Sequence, residues 1–349
     1  MPIELVSPLR TSCALSTSDA VRLFWVGGDG AHDLLDRLCP GELFLRDGQL
    51  LHGLMLDGDG VPAVDLYVCR DDDAFLLIGE ERPGFAMEAH LRAAATSNVS
   101  VNRLDTTHQL LSIDGPYAWE VMVELAGPSV IGLPYLNLFH GEGWECFRAG
   151  KTGEYGYTLI VERSLAAALR ARIEEAGRAF DLGSATSDDL ELCALENGFF
   201  NIRREGTFGL TPLELQLQWR TSRRKKGFLG AEALQARRES GFASRITWIA
   251  SERALAVGMP VQAQELVIGQ VLSAGHSAAL GMSVGVALLA LAFAYPGTDT
   301  YTAGPERARL ITVAPPVLQN RSLFVSPQRD SNFTRTTRTF PPLVPGRET

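Results

Sequence analysis

The stretch Arg148-Ala-Gly-Lys-Thr-Gly-Glu154-Tyr-Gly156-Tyr-Thr-Leu159 constrains this chain more than any other. Its Gly and Thr residues read as a tight turn, and Tyr157 to Val161 reads as the strand that the turn feeds. One acid, Glu154, stands between two glycines. Glycines flanking an acid let the backbone come close to a ligand while the carboxylate points at it. A carboxylate so placed can accept two parallel N–H donors from a flat heterocycle, such as the amino-pyrimidine edge of a pterin. A hairpin corner with a solvated glutamate has the same residues, and the stretch by itself allows both.

The rest of the chain bounds the class of protein. With 349 residues, 46% of them hydrophobic and 21% charged, it has the usage of an average globular protein and length for two or three domains. A net charge of −9 argues against general binding to nucleic acid or to anionic membranes. The opening Met-Pro-Ile-Glu-Leu has neither a basic nor an apolar leader region, so no signal peptide is expected and the cytoplasm is the expected location. Five cysteines (Cys13, Cys39, Cys69, Cys146 and Cys193) are scattered, odd in number and never in C-x-x-C spacing. That suits a reducing compartment and no structural zinc. The histidines lack metal-ligand spacing, and no metal is expected. The apolar run Ala278 to Ala294 approaches the length of a membrane span. It is broken by Gly281, Ser283 and Gly285, is followed by Pro296-Gly297 and has no flanking Lys or Arg, so it reads as buried core.

Helical spacing covers Asp29–Leu38, Pro83–Ala95, Ala118–Leu125, Leu165–Ala176 and Asp188–Asn197, the last with Ser187 as N-cap and Gly198 as its stop. Strands are expected at Leu54–Leu56, Leu66–Cys69 and Phe75–Ile78, between Asp/Gly turns. Beyond Gly241 short β-segments alternate with Gly and Pro turns, as in a small barrel. Residues 320–349 carry five arginines against one Asp and one Glu, and read as an extended or disordered arm. Phe324, Phe333 and Phe340 could dock that arm on a neighbouring subunit, as in a homodimer.

The Glu154 stretch resembles the R-T-G-Y-T-G-E-D-G-[FY]-E-[IL] signature of the glycine-cleavage T-protein (aminomethyltransferase) family. Five further stretches resemble that family's motifs in the same order. Gly48 to Val68 is similar to G-Q-x-x-Y-[TS]-x-[ML]-L-N-x-x-G-G-[IV]-x-D-D-[LF]-x-V, and Leu111 to Ala118 to L-[AIL]-x-x-Q-G-P-x-A. Leu195-Glu196-Asn-Gly198, with Thr211-Pro-Leu-Glu214 and Trp219, resembles L-R-L-E-A-G and [ST]-P-[LV]-E-x-x-L-x-W. Lys225 to Leu234 and Gly258 to Ser277 resemble the two that follow. The resemblance implies an α+β protein of the T-protein type: two intertwined α/β lobes that bind folate (residues 1–240), a small C-terminal β-barrel (241–319) and the arm (320–349).

It also implies functional residues. Asp65 matches the second acid of the family's D-D pair, beside the folate nitrogens and the one-carbon unit. There a carboxylate can stabilise a developing cationic nitrogen. His52 stands where the motif has Tyr, thirteen residues before Asp65 on what should be the adjacent strand, and can move a proton near neutral pH. Glu154 would anchor the pterin, with Tyr155 or Tyr157 stacking on it. Trp219 matches an aromatic near the ligand cavity, and Glu196 and Glu214 match family glutamates. The basic run Arg220, Arg223, Arg224, Lys225 and Lys226 could attract a folate glutamate tail.

The departures are equally specific. Val64 replaces the first acid of the D-D pair, Lys151 the Tyr after R-T-G, and Gly79-Glu80 the N-A after the third strand. Both arginines of A-R-D-x-L-R-L-E are gone, with Arg203 or Arg204 as substitutes from the next loop. These changes imply weaker folate binding than in typical relatives, and a protein other than a housekeeping glycine-cleavage enzyme. The expected function is tetrahydrofolate-dependent transfer of a methyl or aminomethyl unit, or demethylation, in specialised metabolism on a small-molecule substrate. The alternatives are an enzyme that keeps the cavity but has abandoned folate for acid–base chemistry, and a non-catalytic adaptor of the same fold.

Overall fold

The computed structural model describes residues 7–18 and 20–343. The leader reading of the first five residues and the arm's residues 344–349 lie outside the described residues. The protein is mixed α+β, built on two sheets and a closed barrel. The first strand, Cys13–Ser18, lies in one lobe, after which the chain crosses to build a five-stranded antiparallel sheet from strands between Arg22 and Arg103, then returns. Its later strands, His108–Asp114 to Leu182–Ser184, complete a six-stranded sheet around the first one. The two lobes are therefore intertwined.

Strand alternation explains how the lobes meet. In the five-stranded sheet, Val64, Leu66, Val68, Phe75 and Leu77 pack under the helices Ala31–Leu38 and Met87–Ala94. The opposite face presents Leu50, Cys69, Leu76 and Ile78 to Leu110, Phe147 and Ile160 of the six-stranded sheet. Behind that second sheet, Ile113, Tyr157 and Leu159 pack on the helices Ala118–Ala126 and Arg163–Gly177. The order is helices, sheet, sheet, helices, and the two inner faces are apolar only along part of their length. Where the apolar residues end, the sheets part into a cleft.

Local chemistry sets the elements that border this cleft. Strands Leu50–Leu56 and Pro62–Asp71 are joined by Asp57-Gly-Asp-Gly60, whose first carboxylate accepts N–H bonds from Asp59 and Val61 while Gly60 takes a positive φ. Helix Ser187–Glu196 starts at Thr186 rather than Ser187. Thr186 and Asp189 form a reciprocal capping box, which supplies the N–H partners that Ser187 was expected to supply. The barrel backs this helix, as Trp248 donates to the Leu195 carbonyl and Ser277 to Glu196. The apolar run after Ala278 is the barrel strand Met282–Ala290, paired antiparallel with Leu266–Ser277. Among the described residues no helix is long and apolar enough to cross a membrane.

The arm departs from expectation. Residues 320–343 are irregular, but they pack on the chain's own second lobe. Val325 joins its core, Glu120 accepts from Ser331 and the Asn332 N–H, and Phe340 lies against Arg321 and Arg338. Two lobe carboxylates, Glu120 and Glu154, capture the arm's N–H and O–H groups. Composition shows no such partner, so it reads as disorder.

Candidate active site

The cleft has a volume of about 170 Å³ and is walled by both sheets and by the segment 187–203. On the five-stranded side, strand register puts Asp65 opposite Glu80 on one neighbour and Leu54 on the other, with His52 one rung away opposite Tyr67. Asp65 is buried. Its Oδ1 accepts from His52 Nε2 at 2.8 Å and from Arg220 Nη1 at 2.8 Å, and its Oδ2 accepts from Lys151 Nζ at 2.8 Å. Lys151 also donates to Glu80 Oε1 at 2.9 Å. Because the carboxylate only accepts, the histidine proton sits on Nε2, which leaves Nδ1 to accept from Arg220 Nη2 at 3.4 Å. The imidazole stacks on Tyr67 with ring centres 4.2 Å apart.

These contacts set the protonation states. Burial alone would raise the Asp65 pKa, but Lys151, Arg220 and His52 outweigh it and hold the carboxyl well below its usual range. Burial pushes His52 down to about 4, and Arg220 and Lys151 add to that against the pull of Asp65. His52 is therefore neutral at pH 7, with both ring nitrogens engaged. This corrects the expectation of a histidine that titrates near neutrality: its environment is dry and doubly cationic, which no neighbour in sequence reveals.

The facing wall belongs to the six-stranded sheet. Ser16, Ser112 and Thr158 stand side by side on three adjacent strands, and Asp114 occupies the next rung, between Ala14 and Gly156. Asp114 accepts from Thr152 Oγ1 at 3.1 Å and from Ser112 Oγ. A Cβ at Gly156 would stand 2.7 Å from Asp114 Oδ1, so this glycine lets its strand close over the carboxylate. Burial raises the Asp114 pKa to about 6, against the two hydroxyl donors. The third wall is helix Ser187–Glu196 and the loop after it. Leu190 and Ala194 line it where the family motif has arginines, beside Glu191, Phe200 and Arg203. Arg203 donates to Glu191 at 2.8 Å and lies 3.6 Å from Glu80, whereas Arg204 pairs with Glu191 and stays outside the lining.

The structure brings Asp65 and His52 together, with Arg220, Lys151 and Glu80 around them, but not the residues expected to hold the pterin. Glu154 points away from the cleft: it pairs with Arg10 at 3.2 Å and accepts from the Arg321 and Ser322 N–H groups and the Ser322 hydroxyl. Glu196 shares Arg10 at 2.6 Å and accepts from Ser277. Tyr155 donates its hydroxyl to the Val325 carbonyl, and Tyr157 is buried in the second lobe's core. Trp219 is 67% exposed and supports the guanidinium of Arg220. The physical reason is alternation. The strand after Glu154 turns Gly156 and Thr158 to the cleft and Tyr157 to the helices, so the signature's second glutamate, at Thr158 here, is the position that faces it. The basic run also divides, since Arg220 is buried on Asp65 and Lys225 on Asp36 while Arg223, Arg224 and Lys226 are exposed. Arg10, Ser16 and Asp114 carried no sequence signal of their own. Lys151 and Glu80, visible as departures, form a pair that neutralises each other's burial.

Residues 6–225 match the family described as the GCVT N-terminal domain. The chain belongs to the GCVT family. An aminomethyltransferase of Corynebacterium aurimucosum is 29% identical over 298 residues, covering 80% of each chain. One from Halothermothrix orenii is 24% identical and covers 85% of this chain and 87% of its own. Among solved structures, the glycine cleavage system aminomethyltransferase T of Bartonella henselae superposes with a TM-score of 0.78 at 21% identity, covering 90% of this chain and 88% of that one. That likeness carries the fold. The chain is thus a divergent GCVT member.

Proposed function

We propose that this GCVT-family chain is a tetrahydrofolate-dependent transferase of specialised metabolism that moves a methyl or aminomethyl unit to or from a small molecule. The observation that carries this reading is Asp65, a buried carboxylate held ionised on the wall of a largely apolar cleft between the two lobes. The cleft suits a flat ligand. Ile78, Phe147 and Phe200 offer apolar surface to a ring, and the buried Ser16 hydroxyl has no partner among the described residues. Bound tetrahydrofolate supplies nitrogens that carry the one-carbon unit. Asp65 then stabilises positive charge developing on an amine in the cleft. Its depressed pKa makes it an electrostatic group rather than a proton acceptor. His52, with both nitrogens engaged, is a positioning residue that fixes Asp65 together with Arg220 and Lys151.

A second reading, a same-fold enzyme that has given up folate, is favoured by Lys151 and Glu80 at the reacting wall and by Leu190 and Ala194 in place of arginines. One measurement separates them. Tetrahydrofolate binding only the folded state raises the melting temperature, since ligand at a hundredfold excess over Kd adds about 2.7 kcal/mol. A shift of several degrees at millimolar ligand is the expected result. No shift and no calorimetric heat would overturn the folate reading and favour the folate-independent enzyme.

A further inference from the structure

Ser16 is 4% exposed, lines the cleft and makes no hydrogen bond through its hydroxyl among the described residues. Buried hydroxyls are almost always paired, and an unpaired one costs about 1–3 kcal/mol. A strand has no structural need for serine here, because alanine would fill the same rung without that penalty. The group is therefore suited to a partner that arrives with a ligand.

Its neighbours define that partner. The Ser112 hydroxyl commits its proton to Asp114, so the Ser112 oxygen remains as an acceptor. Asp114, which also accepts from Thr152, adds a second acceptor one rung along. Ser16 can donate as well as accept, and no cation belongs to this rung. An anionic edge would meet Asp114 unfavourably, an apolar edge would leave Ser16 unpaired, and a cationic edge, which only donates, would leave the Ser16 proton without an acceptor. A neutral edge on which N–H and C=O groups alternate satisfies every member. We infer that Ser16, Ser112 and Asp114 form a recognition subsite for the amide-like edge of a flat, neutral heterocycle. Resting on the folate reading above, that edge is the aminopyrimidinone end of the pterin, which the six-stranded sheet reads while Asp65 faces the reacting end from the other lobe.

The test is calorimetric titration of the full chain with two probes: tetrahydrofolate under anaerobic conditions, and p-aminobenzoylglutamate, which lacks the pterin. Ser16→Ala removes an unpaired group, so the variant keeps or gains melting temperature, and loss of fold cannot mimic the result. The expected outcome is about five- to tenfold weaker tetrahydrofolate binding, in line with one lost hydrogen bond, and unchanged p-aminobenzoylglutamate binding. Asp114→Asn, which keeps shape but reverses part of the hydrogen-bonding pattern, should weaken tetrahydrofolate at least as much. Unchanged tetrahydrofolate binding in both variants overturns the subsite while the folate reading stands. Equal losses for both probes also overturn it, because the effect would then not concern the pterin edge. Absence of tetrahydrofolate binding in the wild type overturns this assignment and the folate reading together.

Discussion

Replacing His52 with Gln tests whether the imidazole is a neutral positioning group. Glutamine can still donate to Asp65 from its amide, but it cannot titrate. In the fold the His52 pKa falls to about 4 from an ordinary 6.5. The neutral form is the one that the fold favours, so its contribution is full above pH 6.5 and is lost as pH falls towards 4. The shift of about 2.5 pH units corresponds to roughly 3.4 kcal/mol in total, of which about 2 kcal/mol is lost between pH 7.5 and pH 5. The groups facing His52 (Asp65, Arg220, Lys151 and Tyr67) are present in both proteins, so their own titration largely cancels in the comparison. Urea denaturation of both proteins at pH 7.5 and pH 5 gives the difference directly. The wild type should lose about 2 kcal/mol more than His52→Gln over that interval. Parallel losses, or a wild type that holds up better at pH 5, would mean an imidazolium paired with Asp65, and the argument for a neutral ring would fail.

Asp65→Asn leaves Lys151 and Arg220 buried beside a neutral amide, so unfolding free energy should drop by about 3–5 kcal/mol in chemical denaturation; a loss below about 1 kcal/mol would show that the carboxylate does not anchor the two cations. Glu154→Gln weakens the pairing with Arg10 and the grip on Ser322, so limited proteolysis should cut within residues 320–343 sooner, whereas tetrahydrofolate binding should stay as in the wild type. A selective loss of folate binding with an intact arm would return Glu154 to the ligand. Asp114 has its folded pKa raised to about 6 from 3.8, so its contribution is full at low pH and is lost as pH rises through 6. Asp114→Asn should therefore raise stability at pH 7.5 by up to about 3 kcal/mol, and the gain should shrink by roughly half at pH 5, as followed by melting temperature.

What the sequence showed and what it concealed divide along a physical line. Individual elements were legible because they rest on periodicity and turn chemistry: the Asp57 to Gly60 turn, the stop at Gly198 and the broken apolar run after Ala278 each act within a few residues, whereas the two intertwined lobes were legible only through the resemblance of six collinear motifs to the T-protein family. Asp65 was legible through the same resemblance, and His52 through its place thirteen residues earlier on the adjacent strand. The partners of Asp65 were not. A buried carboxylate demands counter-charge, but Lys151 comes from 86 positions away and Arg220 from 155, and nothing local distinguishes Arg220 from the exposed arginines that follow it. Glu154 was misread by the same token. The glycines around it do permit a close approach, but what approaches Gly156 is Asp114, and the cation that meets Glu154 is Arg10, 144 positions earlier. The parity of the strand is nevertheless set by its sequence: with Tyr157 packed on the helices, Thr158 faces the other sheet. Strand alternation therefore points past the acid in the turn to the hydroxyls across from it. Asp114 follows from that step, because the residue paired with Gly156 shares its face. Long-range charge pairing still requires the fold, for a buried ion's partner is chosen by where the sheets part and not by what lies beside it in the chain.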